Sequence, residues 1–552
     1  MFETTRTISA TRFEDYTQSL FVRRTFPALR HMEHLAGTLT QPDVRLLKAS
    51  EHESKGWKRI VVVSNRLPFK VVHKDNGNIS IEPSSGGLVT ALSPLLRNGI
   101  GGKWIGWSGT DDEISLEPAL QAKSKHYEIG MVPLSADEEE KYYRGYFNEV
   151  INPISLGHLE NVNFERADEY WDSYQTVQGK FADKICEDLR PDDFIWVHDW
   201  QSTGVGQKLR ERGVRQPISF FLHNPFPQLK DFTHLPHRDA FLREFLAYDV
   251  VGFQTKRFRN NFLDAVRAFI PEAQIAPISE TISAIRFEGR LIRVGSFPIS
   301  IDCEEFLGQL EHPDTQERVD ELKRTLCKNG EVKIIYNAGR LEYTKGFYEE
   351  LLAFERLLDK HPELLGKIVL FQHVIPSRES VPAYAEYKRK ISETSTRINR
   401  KYRKAITGED GPEGAYEDMP VRQVHAHMDR PLYLAHLHIA DIQSIPTKAD
   451  GMNLVAKEGA LVGNSRMVQI LGMDAGAAEE LGEHALLIDP DHTESFADRL
   501  YEAFVMPHEE RHTRKRMLKE IVTQNDVYQW WAKEQQPLFQ TVWDESVSRQ
   551  GE

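Results

Sequence analysis

Val332-Lys-Ile-Ile-Tyr-Asn-Ala-Gly-Arg-Leu-Glu-Tyr-Thr-Lys-Gly346 reads as a short apolar run that ends in a polar, cationic turn. The amphipathic segment Gly346–Lys360 follows it directly. The run does not alternate apolar and polar residues, which suits a strand covered on both faces in a parallel sheet. The same grammar recurs downstream at Lys367-Ile-Val-Leu-Phe-Gln372, Ile439-Ala-Asp-Ile-Gln-Ser444, Met467-Val-Gln-Ile-Leu471 and Ala485-Leu-Leu-Ile-Asp489. Helical patterns over Ala383–Lys404 and Asn453–Val462 lie between these runs. Strand–helix alternation of this kind defines an α/β domain.

Upstream an equivalent series begins at Arg59-Ile-Val-Val-Val-Ser-Asn65. It continues through Lys103-Trp-Ile-Gly-Trp107, Phe194-Ile-Trp-Val-His-Asp199, Ile218-Ser-Phe-Phe-Leu-His223, Asp249-Val-Val-Gly-Phe253 and Arg293-Val-Gly-Ser-Phe297. Helical patterns cover Trp171–Leu189 and Arg238–Tyr248. Two doubly wound domains are expected, over 58–315 and 316–525, with the boundary in the charged stretch His312–Asn329. Residues 1–57 read as an N-terminal extension, and 526–552 as a C-terminal helix crossing back to the first domain. Ligands of doubly wound sheets bind at the carboxyl ends of the strands, so an interdomain cleft is the expected site.

Composition narrows the function. The 552 residues hold 69 Lys and Arg against 83 Asp and Glu, a net charge of −14. That balance disfavours a sequence-independent grip on nucleic acid, which needs a basic surface. Any phosphate ligand must therefore meet local positive charge. Three cysteines without metal-ligand spacing fit a reducing compartment and exclude a disulfide scaffold. The first residues lack the apolar core of a signal peptide, and no stretch has the ~18–20 apolar residues of a membrane helix. A soluble, cytoplasmic protein is expected. HExxH, GxSxG and GxxxxGK[ST] are all absent, which disfavours zinc peptidases, serine hydrolases and P-loop NTPases.

Three segments bear chemistry. Ser64-Asn-Arg66 ends a strand, and Ser84-Ser-Gly-Gly87 opens a helical run whose paired glycines allow close backbone approach to an anion; a tight structural turn explains them as well. Arg340 and Lys345 flank a turn into a helix, where fixed cations suit a diphosphate leaving group. Solvated surface cations are the alternative. Lys448-Ala-Asp-Gly-Met-Asn-Leu-Val-Ala-Lys-Glu458 places Asp450 before a helix start. Asp450 suits sugar hydroxyls, the N–H groups of Gly451, Met452, Asn453 and Leu454 suit a phosphate, and Glu458 suits a ribose diol. A plain N-cap at Asp450 with a solvated Glu458 fits the same residues. His198, Asp199 and His223 close two strands of the first series, which favours a site there over three unrelated structural groups.

Taken together, VVVSNRLP, SSGGLVTAL, WIGWSG, WVHDW, FFLHNPFP, DVVGFQT, GRLEYTKG, PSR, RINRKY and ADGMNLVAKE resemble the landmarks of the trehalose-6-phosphate synthase family of retaining glycosyltransferases, in the family's order over roughly 59–535. The resemblance implies a GT-B fold and metal-independent transfer of glucose from a sugar nucleotide, UDP-glucose above all, to a phosphorylated acceptor. No cofactor is implied beyond that co-substrate, and no membrane or nucleic-acid partner. A homo-oligomer and a separate downstream phosphatase are compatible with it. By motif, Arg340 and Lys345 hold the donor diphosphate, Asp450 the transferred sugar, Gly451 to Leu454 the phosphate through backbone N–H groups, and Glu458 the ribose. Gly87 approaches the diphosphate from the other domain, and His223 sits beside the sugar. Arg66, Tyr143, Asp199 and Arg378 match acceptor contacts, both arginines suiting its phosphate. Domain closure excludes water.

The departures cluster on the acceptor side. Asn148-Glu-Val-Ile-Asn-Pro-Ile-Ser-Leu-Gly157 stands where the family has NxxLWPxxHY, so Asn152 replaces a tryptophan and Leu156-Gly157 a His-Tyr pair. HIPFP has become HNPFP at Asn224, and HDYH has become His198-Asp-Trp-Gln201. Glucose 6-phosphate is the leading acceptor. A sister transferase using glycerol 3-phosphate or another sugar phosphate, and a catalytically silent regulatory subunit, are the alternatives.

Overall fold

In the computed structural model, residues 58–73, 79–84, 86–98, 102–110, 116–377, 382–407 and 419–537 are described. The 1–57 extension, Arg378 and most of the acidic Gly408–Pro420 loop lie outside them. The chain forms two compact units. One runs up to Phe297 and includes the residues from Tyr528; the other is Pro298–Val527.

The strands of unit one are, in chain order, β1 (Arg59–Arg66), β2 (Phe69–His73), β3 (Ile79–Pro83), β4 (Gly102–Trp107), β5 (Glu128–Met131), β6 (Asp193–His198), β7 (Ile218–Leu222), β8 (Val250–Phe253), β9 (Gln274–Pro277), β10 (Ile282–Phe287) and β11 (Arg290–Ser296). Nine of them make one sheet in the order β5-β4-β1-β6-β7-β8-β11-β10-β9. From β5 to β11 every pairing is parallel, with Val61 opposite Ile195 and Val197 opposite Phe220. β10 runs antiparallel to both neighbours. The sheet is thus mixed rather than wholly parallel as expected: the Glu288-Gly289 turn, both residues at positive φ, folds β10 back onto β11. β2 and β3 form a separate hairpin.

Burial explains the middle of the sheet. β6 and β7 are buried at every position, as their apolar runs require. The helix α1 (Ala167–Cys186) covers one face with Tyr170, Tyr174, Val177, Phe181 and Ile185, an apolar stripe at helical spacing. Residues 527–537 are helical. Their Trp530 and Trp531 pack on Trp196 with ring centroids 5.1 and 4.6 Å apart, and Glu534 accepts hydrogen bonds from Trp196 Nε1 (2.7 Å) and Ser219 Oγ (2.9 Å).

Unit two holds β12 (Lys333–Arg340), β13 (Ile368–Ile375), β14 (Val421–Val424), β15 (Ile442–Ile445), β16 (Val468–Gly472) and β17 (Leu486–Ile488). All are parallel, in the order β14-β13-β12-β15-β16-β17. The boundary falls at Phe297/Pro298, not near residue 315. The physical reason is packing: α2 (Cys303–Glu311) and α3 (Pro313–Thr325) lie on α5 (Arg430–Ile439) and α6 (Leu454–Val462), burying Phe306 and Val319. The charged His312–Asn329 stretch, expected to hold the boundary, is mostly the exposed face of α3. Between them in sequence, α4 (Phe347–Lys360) buries Phe347, Leu351, Phe354, Leu357 and Leu358 against the sheet.

Candidate active site

In unit two, β12 ends at Arg340 and the chain turns through Tyr343–Lys345 before α4 begins. Gly346 makes that turn possible. Its φ is +70°, and a Cβ there would lie 1.9 Å from the carbonyl oxygen of Pro446, just beyond β15. No other residue type fits. Lys448 N donates to Thr344 O (2.8 Å), so the turn after β12 is bonded to the loop after β15.

That contact brings the charged residues together. Lys345 Nζ lies 2.6 Å from Asp450 Oδ2. Asn453 Nδ2 donates to the same oxygen (3.2 Å), and Asn453 Oδ1 accepts from Ala456 N (3.1 Å) as the N-cap of α6. The N-cap is therefore Asn453, not Asp450: the chain takes a left-handed step at Asn453 (φ 76°) that only there lets a side chain fold back on the helix start. Burial pushes the Asp450 carboxyl up, but the charge and hydrogen bond of Lys345, with Arg340 behind it, leave it below its ordinary value. It is a carboxylate at neutral pH. Arg340 is exposed, 3.2 Å from Glu342 Oε1, and so free to reach a ligand at little desolvation cost.

Gly451 and Met452 are buried beneath the α6 terminus, while Asn453 and Leu454 are half-buried. Gly476 closes against them: a Cβ on it would stand 1.9 Å from Gly451 O. Glu458 lies on α6 and accepts a hydrogen bond from Tyr433 Oη. Burial raises its pKa, opposed by the nearby Arg430 guanidinium. The structure thus gathers Arg340, Lys345, Asp450 and the start of α6 into one charged surface, with Glu458 farther along the same helix.

Unit one carries a second cluster at the carboxyl ends of β1, β6 and β7. A register shift between Val63 and Arg66 against β4 bulges the end of β1. Bulges re-aim side chains, and here the Arg66 guanidinium sits 4.0 Å above the Trp107 ring and 5.6 Å from the Tyr143 ring. Gly109 (φ +92°) leaves the room: a Cβ would fall 1.8 Å from Arg66 Nη1. Tyr143 belongs to an uncommon π-helix, Glu139–Ile151, and stacks on Phe147.

Asp199 follows β6 with φ 71° and ψ 166°, a region nearly exclusive to glycine. Its two carboxylate oxygens accept from Asn224 Nδ2 at 2.8 and 2.9 Å. Burial raises its pKa, opposed by these bonds and by N–H groups of Trp200, His223 and Asn224. His223 Nε2 faces His198 Nδ1 at 3.1 Å, and burial pushes the His223 pKa down to about 3, so its ring is neutral at pH 7. Gly87 opens the helix Gly87–Asn98 and is exposed, with open space beside the adjoining Gly86.

Sequence reading missed Asn224 as the partner of Asp199 and Trp107 as the platform under Arg66. The Trp107-Ser-Gly109 signature carried the second, since only glycine leaves a large side chain room over that ring. No sequence signal gives the first, because the two side chains meet across neighbouring strand ends. Among the described residues, no group of three His, Cys, Asp or Glu side chains has metal-ligand geometry, and no helix is long and apolar enough to cross a membrane.

Two Rossmann-like units of this topology, one bearing paired cations and a carboxylate at a helix start, have the architecture and site chemistry of a GT-B glycosyltransferase. The chain belongs to glycosyltransferase family 20, whose family model matches residues 58–540. It is 33% identical over 482 residues to alpha,alpha-trehalose-phosphate synthase [UDP-forming] A of Dictyostelium discoideum, covering 87% of this chain and 62% of the relative. The trehalose-6-phosphate enzyme of E. coli, solved with UDP-2-fluoro glucose, superposes with a TM-score of 0.73 at 31% identity, covering 87% of this chain and 99% of that one. A UDP-forming alpha,alpha-trehalose-phosphate synthase from Burkholderia xenovorans, solved with glucose-6-phosphate, gives 0.73 at 27% identity, covering 86% and 98%.

Proposed function

We propose that this glycosyltransferase moves glucose from UDP-glucose to C1 of glucose 6-phosphate with retention of configuration, releasing UDP and trehalose 6-phosphate. The observation that carries the reading is the Lys345–Asp450 pair beside Arg340 at the start of α6. A diphosphate whose bond to the sugar is breaking gains negative charge, and fixed cations beside a helix N-terminus stabilise that charge as it grows. Arg340 and Lys345 take this role. Asp450, ionised, accepts hydrogen bonds from hydroxyls of the transferred glucose. The first-turn N–H groups near Leu454 face the phosphate, and Glu458 takes the ribose.

On unit one, Arg66 binds the acceptor phosphate from its place over Trp107, with Tyr143 beside it. Arg378 is proposed for the same phosphate. Asp199 orients an acceptor hydroxyl, and Gly87 and neutral His223 approach the donor. The step breaks the C1–O bond to the β-phosphate and forms C1–O to the acceptor on the same face. The departing phosphate oxygen takes the acceptor's proton, so no protein nucleophile and no metal is needed. Turnover then depends on positioning. A phosphatase acting on the product is a separate activity.

A second reading, another phosphorylated acceptor, is favoured by Asn152, a small amide just after the π-helix where the resembled motif has a tryptophan. Incubation with UDP-glucose and a panel of phosphorylated acceptors tests both, by UDP release and product mass. Release with glucose 6-phosphate, giving an α,α-linked non-reducing disaccharide phosphate, supports the first. Release only with glycerol 3-phosphate or another acceptor replaces it with the second.

A further inference from the structure

The HNPFP segment puts a polar amide where the resembling family has an apolar side chain, and the structure shows where that amide goes. Asn224 Nδ2 lies within 2.9 Å of both Asp199 oxygens. A carboxylate only accepts hydrogen bonds, so the amide must turn its NH2 group toward Asp199. That fixes the other end: Asn224 Oδ1 points away from the carboxylate and, among the described residues, has no hydrogen-bond partner. Asp199 meanwhile is fastened on several sides. Asn224 Nδ2 is its side-chain donor among the described residues, and the backbone N–H groups of Trp200, His223 and Asn224 also favour its charged form. Its backbone is held at φ 71° and ψ 166°, a region nearly exclusive to glycine. Such strain is retained where the residue's placement matters.

We propose that Asn224 is a specificity-determining residue: with Asp199 it forms a two-part hydroxyl reader, in which Asp199 and Asn224 Oδ1 each accept from a different hydroxyl of a phosphorylated sugar. This deepens the proposed function and rests on Asp199 facing the acceptor. A site that hydrogen-bonds a hydroxyl rejects analogues lacking it, because its own polar atom is left unpaired. An apolar residue at position 224 would lose that discrimination and would remove the side-chain donor that holds the Asp199 carboxylate.

The test compares wild type, Asn224→Ile and Asn224→Ala with glucose 6-phosphate, 2-deoxyglucose 6-phosphate, mannose 6-phosphate and glycerol 3-phosphate at saturating UDP-glucose. The expected result is that the ratios of kcat/KM among these acceptors change at least tenfold in both variants, while KM for UDP-glucose stays within twofold. The alanine variant introduces no new bulk and serves as the control for misfolding, followed by its melting temperature. A uniform loss across all acceptors, or no change, overturns the role of Asn224 while leaving the proposed reaction intact. Absence of acceptor-dependent UDP release by wild type with any of the four overturns the reaction and this inference with it.

Discussion

The two clusters differ in what holds them. In unit two the charged residues are positioned by backbone: Gly346 against Pro446 O, Lys448 N on Thr344 O, Gly476 against Gly451 O, and Asn453 capping α6. In unit one they are positioned by side chains: Arg66 lies on an indole, Tyr143 rides a π-helix, and Asp199 is clasped by an amide. The first arrangement cannot change without disturbing the sheet ends. The second can be altered one side chain at a time.

The strongest way to break this contrast is to remove the cations. Arg340→Ala and Lys345→Ala should each lower kcat at least ~100-fold, as for other preorganised groups that stabilise a developing charge. Steady-state UDP release measures it, and a loss below tenfold in both variants would remove them from the leaving-group role. Next comes Gly346→Ala against Gly109→Ala. Both glycines have positive φ, but the added methyl meets a backbone carbonyl at Gly346 and the movable tip of Arg66 at Gly109. Gly346→Ala should therefore lose several kcal/mol of stability, and Gly109→Ala about 1 kcal/mol from the backbone alone. Chemical denaturation distinguishes them; equal losses would show that both sites are equally rigid.

Trp107→Ala removes the surface under Arg66, a cation–π contact of ~0.5–2 kcal/mol. KM for the acceptor should rise about tenfold with KM for UDP-glucose unchanged. A rise in both would show that the two clusters do not act on separate substrates.

How much of this was legible depended on the same distinction. Gly346, Asp450 and Glu458 stand within short contiguous motifs that begin at strand ends, so the local chain already places them. Arg340 and Lys345 share one such motif. Asn224 and Asp199, by contrast, are 25 residues apart and meet only because β6 and β7 are neighbours. The π-helix over Glu139–Ile151 has no periodicity distinct from an α-helix in so short a segment. β9 was missed because it is short, largely exposed and carries Gln274 and Pro277, and β10 because Ser283 and Arg286 interrupt its apolar run.

A smaller effect concerns pH. Burial raises Glu244 and Glu350 to about 7 and Glu534 to about 8, from an ordinary 4.5. Their folded-state pKa values exceed the unfolded ones, so the stability they contribute is full below about 4.5 and is lost as pH rises to 7–8. Two of the three acids lie in unit one. Glu534→Gln keeps an acceptor for Trp196 and Ser219 and should flatten the fall in melting temperature between pH 4.5 and 8. An unchanged slope would show that Glu534 titrates normally. The least consequential change is Arg389→Ala. Its exposed pairs with Glu386 and Glu393 are screened by solvent, so the melting temperature should shift by about a degree or two at most.

The contact of Gly346 with Pro446 has a historical consequence. A lineage that inherits this turn can drift in side chains packed only on one another, yet any replacement of Gly346 passes through a misfolded ancestor. Descendants of such a scaffold would diversify in unit one and remain conservative at the turn after β12. The departures from the resembled motifs at Asn152, Leu156 and Asn224, beside motifs that keep Arg340, Lys345 and Asp450, are what such a history would leave.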